Sequence, residues 1–380
     1  MLLPFLFVCL ILIAGSIVFY LACAVLTWQF AATPVPSANA FSTSGVSILV
    51  PVCGLDADAW ENWTSLCQQD YSDYEVLFGV VDPTDPAVPL LKQLAETYPD
   101  RVRLFIGLKP RGVNHKDSTL TYLLEEIRHD WIIFIDSDIQ VSPDYIRTVT
   151  APLTDPTVGM VTCAFVGHDP QFLGAALASL GRCCDFIPSA LIARTMDGGL
   201  RFAVGATIAM RKEALLAAGG LHLNRIGSDY NLGKRTAQAG YRVELSHYLL
   251  ESDTGRESIS QVFQRELRWA RTIRFNRGNI YYTMIFCYGV VFCVPLLLLT
   301  GGQPWAVALT LITIATRLIQ AIVTMRLLNC PKLLRWVWLL PLRDLLSLLI
   351  WAFGAFGSKV RWRGRQLRIE GDGLIQAIET

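Results

Sequence analysis

A chain of 380 residues has room for one catalytic domain with membrane segments, or for two small domains. Its 52% hydrophobic and 17% charged residues are too apolar a balance for a purely water-soluble protein. A formal net charge of +1 excludes a general affinity for nucleic acid, and ten cysteines without a CxxC pair exclude a disulfide framework, which fits a reducing compartment.

From Leu2 to Trp28 no residue is charged, a run longer than the ~20 residues a membrane helix needs. The basic n-region and short h-region of a cleaved signal peptide are missing, so residues 1–30 are expected to be an anchor. Residues 31–45, rich in Pro, Ser, Thr and Ala, read as a linker.

A strand-helix alternation then begins, and residues 46–278 are expected to form a cytosolic catalytic domain. Val46–Val52, Tyr74–Val81, Val102–Ile106 and Trp131–Ile135 are apolar runs suited to strands covered on both faces. Helices are predicted between them at Ala57–Gln69, from Asp85 or Pro86 to Tyr98, and around Leu120, Leu123, Leu124 and Ile127. Such alternation predicts a doubly wound, mostly parallel α/β sheet, whose ligands bind beyond the carboxyl ends of the strands. Gly54, Asp82 and the pair Asp136 and Asp138 all fall at that edge.

Two carboxylates two apart in a turn can face one divalent cation, Mg2+ or Mn2+, and that cation can bridge a diphosphate. The plainer reading of Asp136 and Asp138 is a solvated turn, but the apolar strand before them and the matching Asp82 favour a site. Asp82 is expected to accept hydrogen bonds from a nucleotide, and Asp85 to cap the following helix. Lys116 lies near a helix N-terminus, where it is either a phosphate contact or a solvated lysine. Gly205 either lets the backbone approach a sugar or makes an ordinary turn. Asp229 follows Ser228, the expected N-cap; it is either a complement to the helix dipole or a general base for an acceptor hydroxyl.

Arg265, Arg268 and Trp269 form an RxxRW motif, in which guanidinium forks suit a diphosphate and the indole offers an apolar floor. Arg271, Arg274 and Arg277 continue the spacing and are expected to meet anionic head groups. Residues 279–358 are expected to be membrane helices, with apolar runs at Ile280–Thr300, Trp305–Met325 and Leu333–Phe356. The basic residues flanking them place the central domain in the cytoplasm of a multi-pass membrane protein. Residues 359–380 form a basic tail, which stays cytosolic if Leu333–Phe356 is a re-entrant or interfacial hairpin. The apolar segment Gln171–Arg194 is expected either at the membrane surface, guiding a lipid, or in a core. Arg317, Arg343 and Asp344 sit in apolar stretches, where charge needs a partner or a function.

The order Asp82, Asp136, Asp229 and RxxRW resembles the ceramide glucosyltransferase family, and the resemblance runs from about Val46 into the tail. It includes Asp82-Pro83-Thr84-Asp85-Pro86-Ala87, Met210-Arg211-Lys212 and Arg361-Trp362-Arg363-Gly364-Arg365. It implies a membrane-anchored, inverting glycosyltransferase of GT-A fold that uses a UDP-sugar donor and a membrane lipid acceptor. Asp82 and Asp136 match the family's donor-site aspartates, Asp229 its catalytic base, and Arg265, Arg268 and Trp269 its (Q/R)xxRW signature. The complete DxD with Asp138 departs from some ceramide-using members, and bacterial relatives glycosylate a polyhydroxylated hopanoid, so the acceptor stays open. A processive polysaccharide synthase shares the aspartates but needs more membrane helices, and a non-catalytic nucleotide-sugar binder would not need the full set.

Overall fold

The structure is a computed structural model and describes residues 2–33, 44–56, 58–252, 255–362 and 364–378. Most of the linker, Ala57, Arg363 and Thr380 thus lie outside the described residues. In chain order the elements are α1 (Leu2–Ala32), β1 (Val46–Val52), α2 (Ala59–Cys67), β2 (Tyr74–Val80), α3 (Val88–Thr97) and β3 (Val102–Ile106). Next come α4 (His115–Glu125), β4 (Trp131–Ile135), β5 (Ile139–Gln140), α5 (Tyr145–Thr150), β6 (Val158–Val166), α6 (Leu173–Gly181) and α7 (Ile187–Met196). Then follow β7 (Thr207–Arg211), α8 (Lys212–Ala217), α9 (Ser228–Gln238), β8 (Arg242–Ser252) and α10 (Ile259–Arg277). The chain closes with α11 (Gly289–Thr300), α12 (Pro304–Leu327), α13 (Leu340–Gly354), β9 (Lys359–Trp362), β10 (Arg365–Ile369) and β11 (Ile375–Ala377).

These elements form two compact units that interleave along the chain. One comprises Val35–Val166, Asp197–Asp253 and Ser358–Thr380, the other Met1–Pro34, Gly167–Met196 and Thr254–Gly357. The division is not the linear one expected from the sequence: Gly167–Met196 and α10 group with the apolar helices, and the tail groups with the sheet.

The sheet unit holds eight strands in the order β3-β2-β1-β4-β7-β6-β8-β5. From β3 to β4 every neighbour is parallel, with Val46 opposite both Tyr74 and Trp131. Beyond β4 the sheet becomes mixed, because β7 runs antiparallel to β4 and to β6, while β6 and β8 are parallel. Ile48, Val50, Phe78 and Ile133 are fully buried, as continuous apolar strands between two helical layers must be. The tail is folded: β9, β10 and β11 make a small antiparallel sheet.

In the other unit, α1 and α12 are long and apolar enough to cross a membrane, as are Leu173–Met196 and Pro331–Gly354. Ile280–Thr300 is not one straight span, since a 3-10 stretch, Gly278–Cys287, leads into α11 across a 58° bend. With twelve residues, α11 alone is shorter than a bilayer core requires. Leu333–Phe356 is no hairpin, because a 3-10 stretch, Pro331–Leu339, continues into α13. Leu173–Met196 is continuous through a π-helical turn at Arg182–Phe186, and Leu177, Leu180, Ile187 and Leu191 are buried within the unit. Of the two expected placements the structure shows core packing, with Phe172 and Leu173 at the start and Met196 at the end exposed. An all-apolar helix can be covered by protein as readily as by lipid.

The charges in these helices are paired. Arg317 meets Asp344 at 2.6 Å, Asp185 at 2.7 Å and Gln320 at 2.6 Å. Arg343 makes a two-pronged pair with Glu266 at 2.9 and 2.7 Å. Each guanidinium is buried, so these partners hold α12, α13, α10 and the π-helical turn in one register.

Candidate active site

Three loops meet at the carboxyl edge of the parallel strands. After β1 the chain turns at Gly54, whose φ of 81° favours glycine. The Gly54 N–H donates to Asp85 Oδ2 at 2.8 Å, while Asp85 Oδ1 accepts from Ala87 N at 2.9 Å. Asp85 therefore closes the turn ahead of α3 and clasps the β1 loop, although the N-cap position itself is Ala87. After β2, Asp82 Oδ1 accepts from the Thr84 hydroxyl at 2.7 Å and the Thr84 N–H at 2.8 Å. Those two bonds, hydroxyl first, hold its carboxyl below the usual range, leaving an ionised, exposed acceptor at the sheet edge.

After β4, Asp136 and Asp138 are both partly exposed on either side of buried Ser137. Trp63 Nε1 donates to Ser137 O at 3.1 Å and pins that turn. The Asp136 N–H donates to Ala206 O at 3.1 Å, which brings the segment before β7 alongside. Lys116, in the first turn of α4, places its ammonium in an ion pair with Asp136 and donates to Gly205 O at 3.3 Å. Burial opposes charge on Lys116, but the Asp136 carboxylate, with Asp229 and Asp117 behind it, holds its pKa above the ordinary value.

Asp229 lies in the first turn of α9. That helix opens at Gly227, in the left-handed region with φ 61°, rather than at Ser228 as expected. The Ser228 hydroxyl is used elsewhere, donating to Asp117 Oδ1 at 3.0 Å. A Cβ on Gly205 would collide with the Asp229 carboxylate, so the absence of a side chain there leaves room for that carboxylate. Lys116, Asp117, Gly205, Ser228 and Asp229 line one pocket with Leu120, Ile135 and Leu232. A cation, a carboxylate in reach of a proton, and open backbone thus share one cavity.

Asp117 is the residue that sequence reasoning missed. It is 2% exposed and accepts from Ser228 and from Asn114 Nδ2, the latter at 2.9 Å. Burial, reinforced by the charge of Asp229, pushes its carboxyl up to about 7 against the opposing pull of the Ser228 bond and Lys116. A signal was present: Asn114 caps α4 and accepts from the Asp117 N–H at 3.2 Å, and an acidic residue three beyond a cap commonly turns back on it.

The RxxRW residues lie on α10 in the apolar-helix unit, and there the motif is partly self-satisfied. Arg265 pairs with Glu257 and sits 5.4 Å from the Trp269 ring centre, and Arg182 approaches the same ring at 6.0 Å. Arg265 Nε and Nη2 are buried without a hydrogen-bond partner among the described residues, which leaves donors suited to an anion. Arg268 lies between them in sequence and is half-buried. Arg274 does not face outward to head groups as expected, since its guanidinium donates to Ala355 O and Gly357 O. Those carbonyls at the end of α13 lack helical partners, and the arginine supplies them.

Comparison with known proteins agrees with this architecture. Residues 8–375 match the model of glycosyl transferase family 21. Ceramide glucosyltransferase 3 of Caenorhabditis elegans is 26% identical over 246 residues, covering 60% of this chain and 50% of that protein. Ceramide glucosyltransferase 1 of the same organism is 22% identical over 231 residues, with 60% and 49% covered. This chain therefore spans about half the length of either relative. Among solved structures, a mannosyltransferase of Pyrobaculum calidifontis in complex with GDP-Man and Mn2+ superposes with a TM-score of 0.52. It covers 90% of this chain and 97% of its own at 18% identity, a likeness of fold, which is GT-A.

Proposed function

Because the chain belongs to glycosyl transferase family 21, we propose that it transfers glucose or N-acetylglucosamine from a UDP-sugar to a hydroxyl of a membrane lipid, with inversion. The acceptor is a ceramide or a bacteriohopanetetrol-type hopanoid. The observation that carries this reading is the gathering of Lys116, Asp136, Gly205 and Asp229 where a GT-A sheet receives its donor.

Asp82 accepts hydrogen bonds from the nucleotide, and the Gly54 turn leaves room for it. Asp229 takes the proton from the lipid hydroxyl as that oxygen attacks the anomeric carbon. The bond from that carbon to the diphosphate breaks with its electron pair leaving on UDP, and a single displacement inverts the centre. Lys116 is placed to offset the growing negative charge. Asp229 afterwards returns its proton to water.

A divalent ion fits the donor set. Asp136 and Asp138 offer hard oxygens, and among the described residues no group of three His, Cys, Asp or Glu could hold a metal unaided. Mg2+ and Mn2+ suit such a site, needing only one or two carboxylates beside substrate phosphates and water. When bound, the ion supplies positive charge to the diphosphate. The RxxRW residues Arg265, Arg268 and Trp269 are assigned to the donor on the motif and on the unspent Arg265 donors. The arginines from Arg265 to Arg277, just ahead of the apolar helices, support a cytoplasmic catalytic unit.

The test uses purified full-length protein in lipid-detergent micelles with Mg2+ or Mn2+. UDP-glucose or UDP-N-acetylglucosamine is offered with ceramide or bacteriohopanetetrol. One pairing should yield glycolipid, and Asp229→Asn should lower turnover by about 10²–10⁴-fold while UDP still binds. No product from any pairing, or retention of the anomeric configuration by NMR, would refute the scheme.

A further inference from the structure

The tail that follows the last apolar helix folds against the two loops that carry Lys116 and Asp229. Strand β10 brings Arg365 to the loop ahead of α4, where its Nη1 donates to Val113 O at 2.9 Å. Burial, with the Arg365 charge adding to it, holds neighbouring His115 below its ordinary pKa, which agrees with that close approach. The turn between β10 and β11 reaches the loop ahead of α9. There the Ile226 N–H donates to Gly373 O at 2.9 Å and the Ile375 N–H donates to Asn224 O at 2.9 Å. Arg225 completes the seat, its Nη1 donating to the Asp372 carbonyl and lying 3.1 Å from the Asp372 carboxylate.

The turn has an unusual shape. Asp372 has φ 63° and Gly373 φ 77°, successive residues in the left-handed region, which an aspartate occupies only at a cost. That conformation lets two consecutive carbonyls face Arg225 and Ile226. The two loops are also joined to each other. The Asn114 N–H donates to Leu223 O at 2.7 Å, and the Val113 N–H donates to Asn224 Oδ1 at 3.0 Å. Asn114 Nδ2 reaches Arg225 O at 3.1 Å. Three segments separated by more than a hundred residues thus share one hydrogen-bond network. Two of them end within a few residues of the cation and the carboxylate in the pocket.

We propose that the C-terminal sheet is a brace that sets Lys116 and Asp229 in register, with Arg365 and Asp372 as its positioning residues. This rests on the functional reading of Lys116 and Asp229 given above. Neither Arg365 nor Asp372 lines the pocket; each acts through a loop that leads to it. The brace matters because a shift of about 1 Å in a reacting group can lower turnover by about 10²-fold.

The experiment measures amide hydrogen exchange and steady-state turnover on full-length protein in lipid-detergent micelles. Arg365→Ala and Asp372→Ala should speed exchange at Asn114 and Ile226 by roughly tenfold, leaving strands β1 and β4 at the parental rate. Turnover should fall by roughly 10–100-fold with the donor KM within twofold, and Arg365→Lys should recover most of it, since an ammonium can still donate to Val113 O. Parental exchange at both loops would overturn the proposal, as would faster exchange with unchanged kcat. Equal loss of protection throughout the sheet would reduce the contacts to general stability and overturn it too. If the parent makes no glycolipid, the functional reading fails by itself. The exchange mapped at Asn114 and Ile226 against strands β1 and β4 then decides by itself whether the sheet braces the two loops.

Discussion

Asp117 puts a titratable group inside the pocket wall, and its raised pKa has a consequence of definite sign. In the unfolded chain an aspartate titrates near 3.9, whereas the native carboxyl titrates at about 7. Between those values the native state binds more protons, so stability falls as pH rises from about 4 to about 7 and stays reduced above. Asp117→Asn removes that fall. Its unfolding midpoint relative to the parent should rise between pH 5 and pH 8, and a pH-independent difference would refute the burial argument. Gly205→Ala acts by contact, because its methyl group meets the Asp229 carboxylate. Turnover should drop by roughly 10²-fold with UDP binding retained, as read by kcat and by calorimetric titration. Residue identity and spacing made Asp82, Lys116, Asp136 and Asp229 legible as candidates, since each ends a strand or begins a helix. The Lys116–Asp136 pair and the Gly205–Asp229 approach were not legible, because they join residues 20 or more apart through the turns between them.

Among the elements, β1 and β4 lie where apolar runs between turn signals place them, because a strand buried on both faces has little choice of limits, and the edge strand β3 also matches its run. Beyond β4, the buried runs of β6 and β7 do not carry the order and direction in which they pair. β8 has partly exposed residues along its length, and the β4–β7 pairing depends on distant partners rather than on local sequence. Composition also marked Gln171–Arg194 as apolar without saying whether lipid or protein covers it. The ion pairs between helices carry their own prediction. Arg317→Met leaves Asp344 buried without its guanidinium, and breaking a buried pair costs about 3–5 kcal/mol. A lowered denaturation midpoint in micelles should show it, and Arg317→Met combined with Asp344→Leu should regain part of the loss. If the double variant falls as the sum of both singles, the two residues are not coupled.

At the scale of the molecule, each unit is assembled from segments far apart in sequence. The linear domain expected at 46–278 therefore carries α6, α7 and α10, whose apolar and ionic partners lie in α1, α12 and α13. A fragment of residues 46–278 should aggregate on size exclusion in the absence of detergent, while the full chain in micelles elutes as a folded species. A monodisperse, soluble fragment would contradict this. Sequence showed the apolar helices and the parallel half-sheet; it did not show the folded tail, since a basic, short-stranded segment reads like any solvated terminus. The order of synthesis adds a consequence of its own. Protein chains emerge from the ribosome at about 5–20 residues per second, amino end first. The bond from Ile226 to Gly373 cannot form until the chain has been made through Gly373, long after Ile226 itself. The loop before Asp229 thus waits for a segment made long after it, and a nascent chain stalled ahead of Gly373 carries that loop still unseated.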